Sequence, residues 1–262
     1  MAIVMSISNQ KGGVGKTTTT YALAAIFSTV GYRVLSIDLD GQGNLTFSLN
    51  ANGECDRTSY EVFEGCDIRE AIQHTHSGDI IPANILLSSV ELEYTDKGRE
   101  FILKKALEDI KDDYDIILID SPPALSILTL NAFTASDYVL VPMQADIFSL
   151  QGMAQLYDTI SRVQKYCNPK LKFAGMLLTR VNIRSKFSNE VRGTAQMIAD
   201  SLKIPLLKTQ IRNSVTICEA QSLQLNPIKD YSTNNVMLDY CKLVNELIEM
   251  GIFGDASAAS EQ

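Results

Sequence analysis

A glycine-rich loop near the amino terminus constrains this chain of 262 residues more than any other feature. The loop covers Gln10–Thr18, follows the apolar run Ile3–Ile7 and precedes a helix predicted over Lys16–Val30. A strand, a glycine-rich loop and a helix in this order are typical of a phosphate-binding loop, whose backbone N–H groups surround phosphate oxygens at the positive end of the helix. We therefore predict a nucleotide phosphate site, with these binding residues: Gly12, Gly13, Val14, Gly15, Lys16, Thr17 and Thr18.

Two side chains of this loop have their own predicted chemistry, and one other departs from the general pattern. Lys16 is expected to reach the β- and γ-phosphates, and the Thr17 hydroxyl to bind Mg²⁺. The general pattern is G-x-x-x-x-G-K-[ST], but Gln10 occupies the position of its first glycine, and a second lysine, Lys11, follows.

Strand-like and helix-like segments alternate along the chain, and this alternation predicts the fold class. Hydrophobic residues make up 45% of the chain and charged residues 21%. This composition provides enough apolar side chains for a folded core. We predict an α/β fold with a mostly parallel twisted sheet and helices on both faces. One domain is expected over residues 1–253, with a disordered tail over 254–262.

Neither a membrane segment nor a targeting segment is indicated by the sequence. No apolar run reaches the ~18–20 residues of a membrane span, and the amino terminus has no signal-peptide pattern. We therefore expect a cytoplasmic protein that does not associate with membranes. Five cysteines and two histidines occur without a CxxC pair, which gives little support to a transition-metal or redox site.

Acidic residues follow two of the predicted strands. The apolar run Arg33–Ile37 leads into Asp38 and Asp40, and the run Tyr114–Ile119 ends at Asp120. Ligands of open α/β sheets bind at the carboxyl ends of the strands, and an Asp after such a strand commonly holds Mg²⁺ in phosphate-loop proteins. We predict that role for Asp120, whereas the first two could also be ordinary turn-forming aspartates.

The charge of the chain is unevenly distributed. The net charge is −8, yet eleven basic and only two acidic residues lie between Arg162 and Arg212. Such asymmetry is typical of a polyanion-binding face, but solvated surfaces of ordinary helices give the same pattern. Both interpretations stay open on charge alone.

Three motifs in order resemble the ParA/MinD ATPases, which have a deviant phosphate loop. They are KGGVGKT from Lys11, DLDGQGN from Asp38, in which Gly41 replaces the usual proline, and DIILIDSPP from Asp115. The resemblance is strongest to the short, Soj-like ParA partition proteins without an amino-terminal helix-turn-helix domain. Further similar segments begin at Val141 and Glu219, and the second has Gln221 in place of a proline.

This resemblance implies a Mg²⁺-dependent ATPase that is slow without a partner and forms a homodimer around two ATP molecules. It assigns catalytic roles to Lys11, which would enter the partner's site, to Lys16, and to Asp40, which would position the attacking water. It assigns Mg²⁺ to Thr17, Asp38 and Asp120, and it makes Lys11 a nucleotide-binding residue as well.

The resemblance also implies that the ATP-bound dimer binds DNA without sequence preference, and that a centromere-bound ParB-type protein stimulates hydrolysis. The implied location is the nucleoid. The candidate DNA-binding residues are Arg184, Lys186, Arg192 and Arg212. Arg180 and Asn182 lie in a segment similar to one near the adenine in MinD-like proteins, although an ordinary loop would also suffice.

Three other functions differ from DNA partition in what they require of the sequence. A MinD-like membrane regulator would need a basic amphipathic helix at the carboxyl terminus, whereas Tyr240–Phe253 has two glutamates and one lysine. An iron–sulfur electron carrier would need cysteines near Asp120 or residue 150, and they are missing. An envelope- or secretion-positioning ATPase with another cargo stays an alternative.

Overall fold

The structure is a computed structural model that describes residues 1–90, 98–144, 147–182 and 186–254. One eight-stranded sheet runs through this part of the chain, in the order β3-β4-β2-β5-β1-β6-β7-β8. Neighbouring strands are parallel except β3 and β4, which are antiparallel. The strands are β1 (Ile3–Ile7), β2 (Val34–Asp38), β3 (Gln73–Thr75), β4 (Gly78–Ile81), β5 (Ile116–Asp120), β6 (Tyr138–Gln144), β7 (Lys172–Val181) and β8 (Leu206–Arg212).

Helices cover both faces of this sheet, so the predicted α/β fold with a mostly parallel sheet is confirmed. The α-helices are α1 (Lys16–Thr29), α2 (Asn44–Ser48), α3 (Ser59–Phe63), α4 (Ile102–Glu108), α5 (Ile127–Ala135), α6 (Ile147–Tyr166), α7 (Lys186–Leu202), α8 (Thr216–Ser222), α9 (Pro227–Tyr231) and α10 (Asn235–Glu249). Short 3-10 helices span Ile68–Ala71, Ile85–Ser89 and Arg99–Phe101.

The central strands are apolar throughout because both of their faces are buried. In β5, Ile116 and Leu118 pack into the core beneath α1 and α10, and Ile117 and Ile119 pack into the opposite core with α4 and α5. Residues of a strand point alternately to the two faces of the sheet, so a strand covered on both sides needs an unbroken apolar run. The sequence of β5 meets this requirement until Asp120.

The register of the parallel strands brings two acidic residues together. Asp38 at the end of β2 is the register partner of Asp120 at the end of β5, and Asp120 is in turn paired with Ile7, where β1 enters the phosphate loop. The glycine-rich loop and both carboxylates therefore lie at the same carboxyl edge of the sheet, as the strand arrangement predicted.

Local structure differs from the sequence expectation in two places. The sequence of Asp67–His74 predicts a short helix, but the structure has only one 3-10 turn there, Ile68–Ala71, followed by the edge strand β3. Helix α5 was not predicted, because eight of its nine residues are buried and its sequence ILTLNAFTA has no polar face that would indicate a helical period.

Two predictions about chain organisation stay predictions. The tail expected over residues 254–262 lies outside the described residues except for Gly254. A single domain over 1–253 is compatible with the one sheet that joins its described parts. Within the described residues, no helix has both the length and the apolar character needed to cross a membrane.

Candidate nucleotide site

The phosphate loop connects β1 to α1 and depends on glycine at two positions. Gly13 and Gly15 have φ angles of 72° and 88°, in the left-handed region that favours glycine. Gly15 is also the residue that immediately precedes α1, whose first turn therefore faces the loop interior with its N–H groups. The first turn contains no acidic residue that would occupy this anion position.

Lys16 extends under the loop, as predicted for the lysine of a phosphate site. Its side chain is buried and its Nζ donates to the Lys11 carbonyl oxygen at 3.3 Å. Burial lowers the pKa of Lys16, whereas the Asp120 and Asp40 carboxylates act in the opposite direction. The ammonium thus lies between the loop and the acidic edge, where phosphate oxygens would meet it.

Thr17 and Asp120 are in direct contact. The Thr17 hydroxyl donates to Asp120 Oδ2 at 2.7 Å, while Asp120 Oδ1 is buried without a hydrogen-bond partner. Burial, and then the neighbouring Asp38, raises the pKa of Asp120 well above its usual range. An unpartnered carboxylate oxygen beside a hydroxyl is a suitable place for Mg²⁺, which prefers oxygen ligands. These residues therefore fit the metal.

Asp38 has a different environment from that of Asp120. Its Oδ2 accepts hydrogen bonds from the Thr46 N–H at 2.9 Å and the Thr46 hydroxyl at 2.8 Å, and its Oδ1 accepts the Asp40 N–H at 3.1 Å. Burial raises the pKa of Asp38 to about 6 in spite of these bonds. Asp38 thus connects the end of β2 to α2, and its predicted role at the metal stays a prediction.

Asp40 borders the cavity in front of the loop, whereas Asp38 is wholly buried. One carboxylate oxygen of Asp40 accepts the Gln42 N–H at 3.0 Å. Among the described residues, no group of three or more His, Cys, Asp or Glu side chains converges on a metal position. A Mg²⁺ ion held here would keep water and phosphate oxygens as ligands, as this ion usually does.

The cavity itself has a volume of about 650 Å³ and is lined by residues from several elements, including α2, the end of β7 and α10. One side is the phosphate loop with Asp40. A second side is the end of β8 and the helix α8, with these lining residues: Ile211, Arg212, Asn213, Ser214, Ile217, Cys218 and Gln221. The volume and the apolar residues on this second side suit the base and ribose of a nucleotide.

Gln221, which replaces the proline of the resemblance, connects three elements around this cavity. Its Oε1 accepts the Thr18 hydroxyl at 3.0 Å, and its Nε2 donates to the Ser48 hydroxyl at 3.1 Å. Helices α1, α2 and α8 are therefore joined through one amide side chain. A proline at this position could make neither bond.

The other predicted residues are distributed more widely. Arg180 lines the cavity, but Asn182 is not among its lining residues. Arg184 lies outside the described residues, and Lys186 is the first residue of α7. The Arg192 guanidinium donates to the Leu207 carbonyl oxygen at 3.4 Å. The DNA-binding and base-binding roles of these residues stay predictions.

Among the candidate DNA-binding residues, Arg212 has the most clearly described side-chain contacts. Its Nε and Nη2 donate to the two oxygens of the buried Asp239 at 2.6 and 2.8 Å, and it borders the nucleotide cavity. The Asp239 carboxylate offsets the charge of this guanidinium, and the DNA contact predicted for Arg212 stays a prediction.

Sequence reasoning missed three side chains that organise the site: Thr46, Gln144 and Gln221. Thr46 holds Asp38, and the Gln144 Nε2 donates to the Gly13 carbonyl oxygen at 3.1 Å. In the sequence, these residues are marked only by lying inside or just after recognised motifs. That position does not reveal which group each side chain contacts.

Known proteins resemble this chain over most of its length. The family profile described as AAA domain matches residues 2–173. The sporulation initiation inhibitor protein Soj of Bacillus subtilis is 39% identical over 227 residues, which is 85% of this chain and 88% of that protein. The chromosome partitioning protein ParA of Caulobacter vibrioides is 43% identical over 195 residues, covering 72% and 73% of the two chains.

A solved structure shares the fold of this chain. Cobyrinic acid a,c-diamide synthase from Mycobacterium smegmatis, with a bound ATP analog and magnesium, has a TM-score of 0.77 and 35% identity. The similarity covers 89% of this chain and 95% of that one. Together with the loop, Lys16 and the Thr17–Asp120 pair, these relatives establish that the chain belongs to the ParA/MinD family of P-loop ATPases and hydrolyses ATP with Mg²⁺.

Proposed function

We propose that this ATPase partitions DNA. In this proposal, ATP binding drives a homodimer that binds DNA without sequence preference, and a ParB-type partner on a centromere stimulates hydrolysis and release. The observation that carries the proposal is the second lysine of the loop, Lys11, which directly precedes Gly12 of the nucleotide cavity in a chain similar to Soj and ParA. The proposed location is the cytoplasm, on the nucleoid.

The position of Lys11 supports a coupling between nucleotide state and dimer formation. Its backbone belongs to the loop, with its N–H donating to Asn9 Oδ1 at 3.0 Å and its carbonyl oxygen accepting from Lys16. A lysine side chain from this place that contacts phosphates of a second subunit adds positive charge where the reaction develops negative charge. Loss of the γ-phosphate then removes its partner and loosens the dimer.

We expect Lys11→Ala to keep ATP binding but to lose ATP-dependent dimerisation, because the lysine would act on the partner's nucleotide. Light scattering with and without ATP measures the mass, and equilibrium titration with ATP measures binding. Lys170→Ala, which removes an exposed lysine at the other edge of the sheet, is the matched control. A Lys11→Ala protein that still doubles its mass with ATP would refute the role across the subunit boundary.

Exposed basic side chains also lie away from the candidate DNA-binding segment. Four exposed basic residues surround the turn between α6 and β7, and none forms an ion pair with another described residue: Arg162, Lys165, Lys170 and Lys172. They lie at the amino edge of the sheet, whereas the candidate DNA-binding residue Lys186 begins α7, which follows β7 at the carboxyl edge. Charge-reversing substitutions in the two groups can therefore be compared in the same DNA-binding assay.

We expect Arg184→Glu with Lys186→Glu to weaken ATP-dependent binding to DNA of any sequence and to flatten its salt dependence, because each phosphate contact releases counterions. Lys170→Glu with Lys172→Glu makes the same charge change at the opposite edge and should have the smaller effect. Fluorescence anisotropy at several salt concentrations measures both. Equal affinity in the first variant and the unaltered protein would refute the assignment to this segment.

The main alternatives are a MinD-like membrane regulator and an envelope- or secretion-positioning ATPase. The last helix, α10, buries its apolar residues Val236, Tyr240, Leu243 and Leu247 in the core, so they are not available for a membrane surface. A DNA-binding assay with ATP, ADP or no nucleotide separates the functions. ATP-specific, sequence-independent binding supports partition, and no binding in any state contradicts it.

A further inference from the structure

Three side chains from the ends of β6 and β7 hold the outer surface of the phosphate loop. The Gly13 carbonyl oxygen accepts hydrogen bonds from Gln144 Nε2 and Arg180 Nη1, both at 3.1 Å. The next carbonyl oxygen, that of Val14, accepts the Thr179 hydroxyl at 2.7 Å. The two successive carbonyl groups at the apex of the loop are thus both bound from the same neighbouring strands.

Fixing these carbonyl groups also fixes the direction of the N–H groups that bind phosphate. A trans peptide unit is planar, so its C=O and the following N–H point in opposite directions. With the Gly13 and Val14 oxygens turned toward β6 and β7, the N–H groups of Val14 and Gly15 turn away from those strands, toward the loop interior. Gly13 and Gly15, with their left-handed φ angles, allow the backbone to follow this path.

The backbone of Arg180 departs from strand geometry in a way that serves this contact. Consecutive residues of a strand normally point to opposite faces, so Thr179 and Arg180 would not be expected to reach the same loop. Arg180 has a φ of 52°, which is uncommon for a residue with a side chain. With this conformation both side chains reach adjacent carbonyl groups of the loop.

We propose that Arg180, together with Gln144, is a positioning residue that presets the phosphate loop for the triphosphate, and that it does not read the base. Two donors on one carbonyl oxygen hold the apex peptide before any nucleotide arrives, which reduces the ordering that binding requires. The Arg180 charge beside the Gly13 peptide adds to the positive potential at the loop. This role concerns the ATP site alone and is independent of DNA binding or dimer formation.

The test compares Arg180→Ala, Arg180→Lys and Gln144→Ala with the unaltered protein. Hydrogen exchange of the loop peptide, residues 10–16, is measured in the nucleotide-free state, where a residue that only contacts the base would have no effect. We expect exchange to rise severalfold in Arg180→Ala and Gln144→Ala, to rise further in the double variant, and to be partly restored in Arg180→Lys. Arg57→Ala, which removes an exposed arginine paired with Glu70, controls for general effects of losing an arginine.

Steady-state kinetics give a second measurement. We expect the KM for ATP to rise about tenfold in Arg180→Ala, the usual effect of losing one charge-assisted hydrogen bond, with a smaller change in kcat. Unchanged exchange in the nucleotide-free loop of both Arg180→Ala and the double variant would overturn the proposal. So would a Lys substitution that behaves like alanine in both measurements, since an ammonium can still donate to the Gly13 carbonyl.

Discussion

Asp120→Asn is expected to make the nucleotide-free protein more stable while greatly reducing its ATPase activity. Asp120 is fully buried, one of its oxygens has no partner, and its register neighbour Asp38 is also acidic. Because its pKa is raised, ionised Asp120 is less favourable in the folded protein than in the unfolded chain, and this lowers the stability of the fold at neutral pH. The neutral amide removes that cost and can still accept the Thr17 hydroxyl.

We expect this variant to unfold about 2–4 °C higher, which corresponds to about 1 kcal/mol for a protein of this size. Hydrolysis should fall by about 100-fold or more, because an amide is a poorer Mg²⁺ ligand than a carboxylate. Thermal unfolding without nucleotide and steady-state hydrolysis with Mg²⁺ measure the two effects.

Asp115→Asn is the matched control for the effect on stability. Asp115 lies five residues earlier and pairs with Arg33 at 2.8 Å, and this hydrogen-bonded pair lowers the pKa of Asp115. Its ionised form therefore stabilises the fold at neutral pH, and the same substitution should reduce stability slightly while leaving hydrolysis intact. A lower unfolding temperature for Asp120→Asn than for the unaltered protein would contradict our account of the site.

Asp40→Ala is expected to retain ATP while losing about 100-fold in hydrolysis, if this residue positions the attacking water. Asp40 borders the cavity, and its backbone N–H is held by Asp38, so the surrounding backbone should keep its place when the carboxylate is removed. Rapid-quench measurement of ATP turnover, together with nucleotide titration, separates chemistry from binding.

Under the proposed function, the Asp40→Ala protein should also accumulate as an ATP dimer that binds DNA. Light scattering and DNA anisotropy with ATP measure these two properties. Asp40→Asn keeps the shape and removes the charge, and it should behave like the alanine variant if charge is what orients the water. Turnover near that of the unaltered protein in either variant would rule out this catalytic role.

The central strands and the site at their carboxyl edge could be predicted because their signals are local. Residues 116–119 are continuously apolar since both faces of β5 are buried, and Asp120 follows where the strand meets the ligand edge. Helix α5 could not be predicted in this way, because it is almost entirely buried and its sequence therefore lacks the polar face that identifies a helix. The same reasoning failed for β3, where the register with β4 overrides a helix-like composition.

The sequence by itself determined the phosphate loop, the acidic strand ends and the family, because these depend on residue type and spacing along a short stretch. The tertiary structure alone decided which side chains hold these groups in place. Gln144, Arg180 and Gln221 reach backbone or hydroxyl groups that are 131, 167 and 203 residues away in sequence, and Arg212 meets Asp239 across the edge of the sheet. Such contacts depend on how strands and helices pack, and no spacing rule along the chain encodes them.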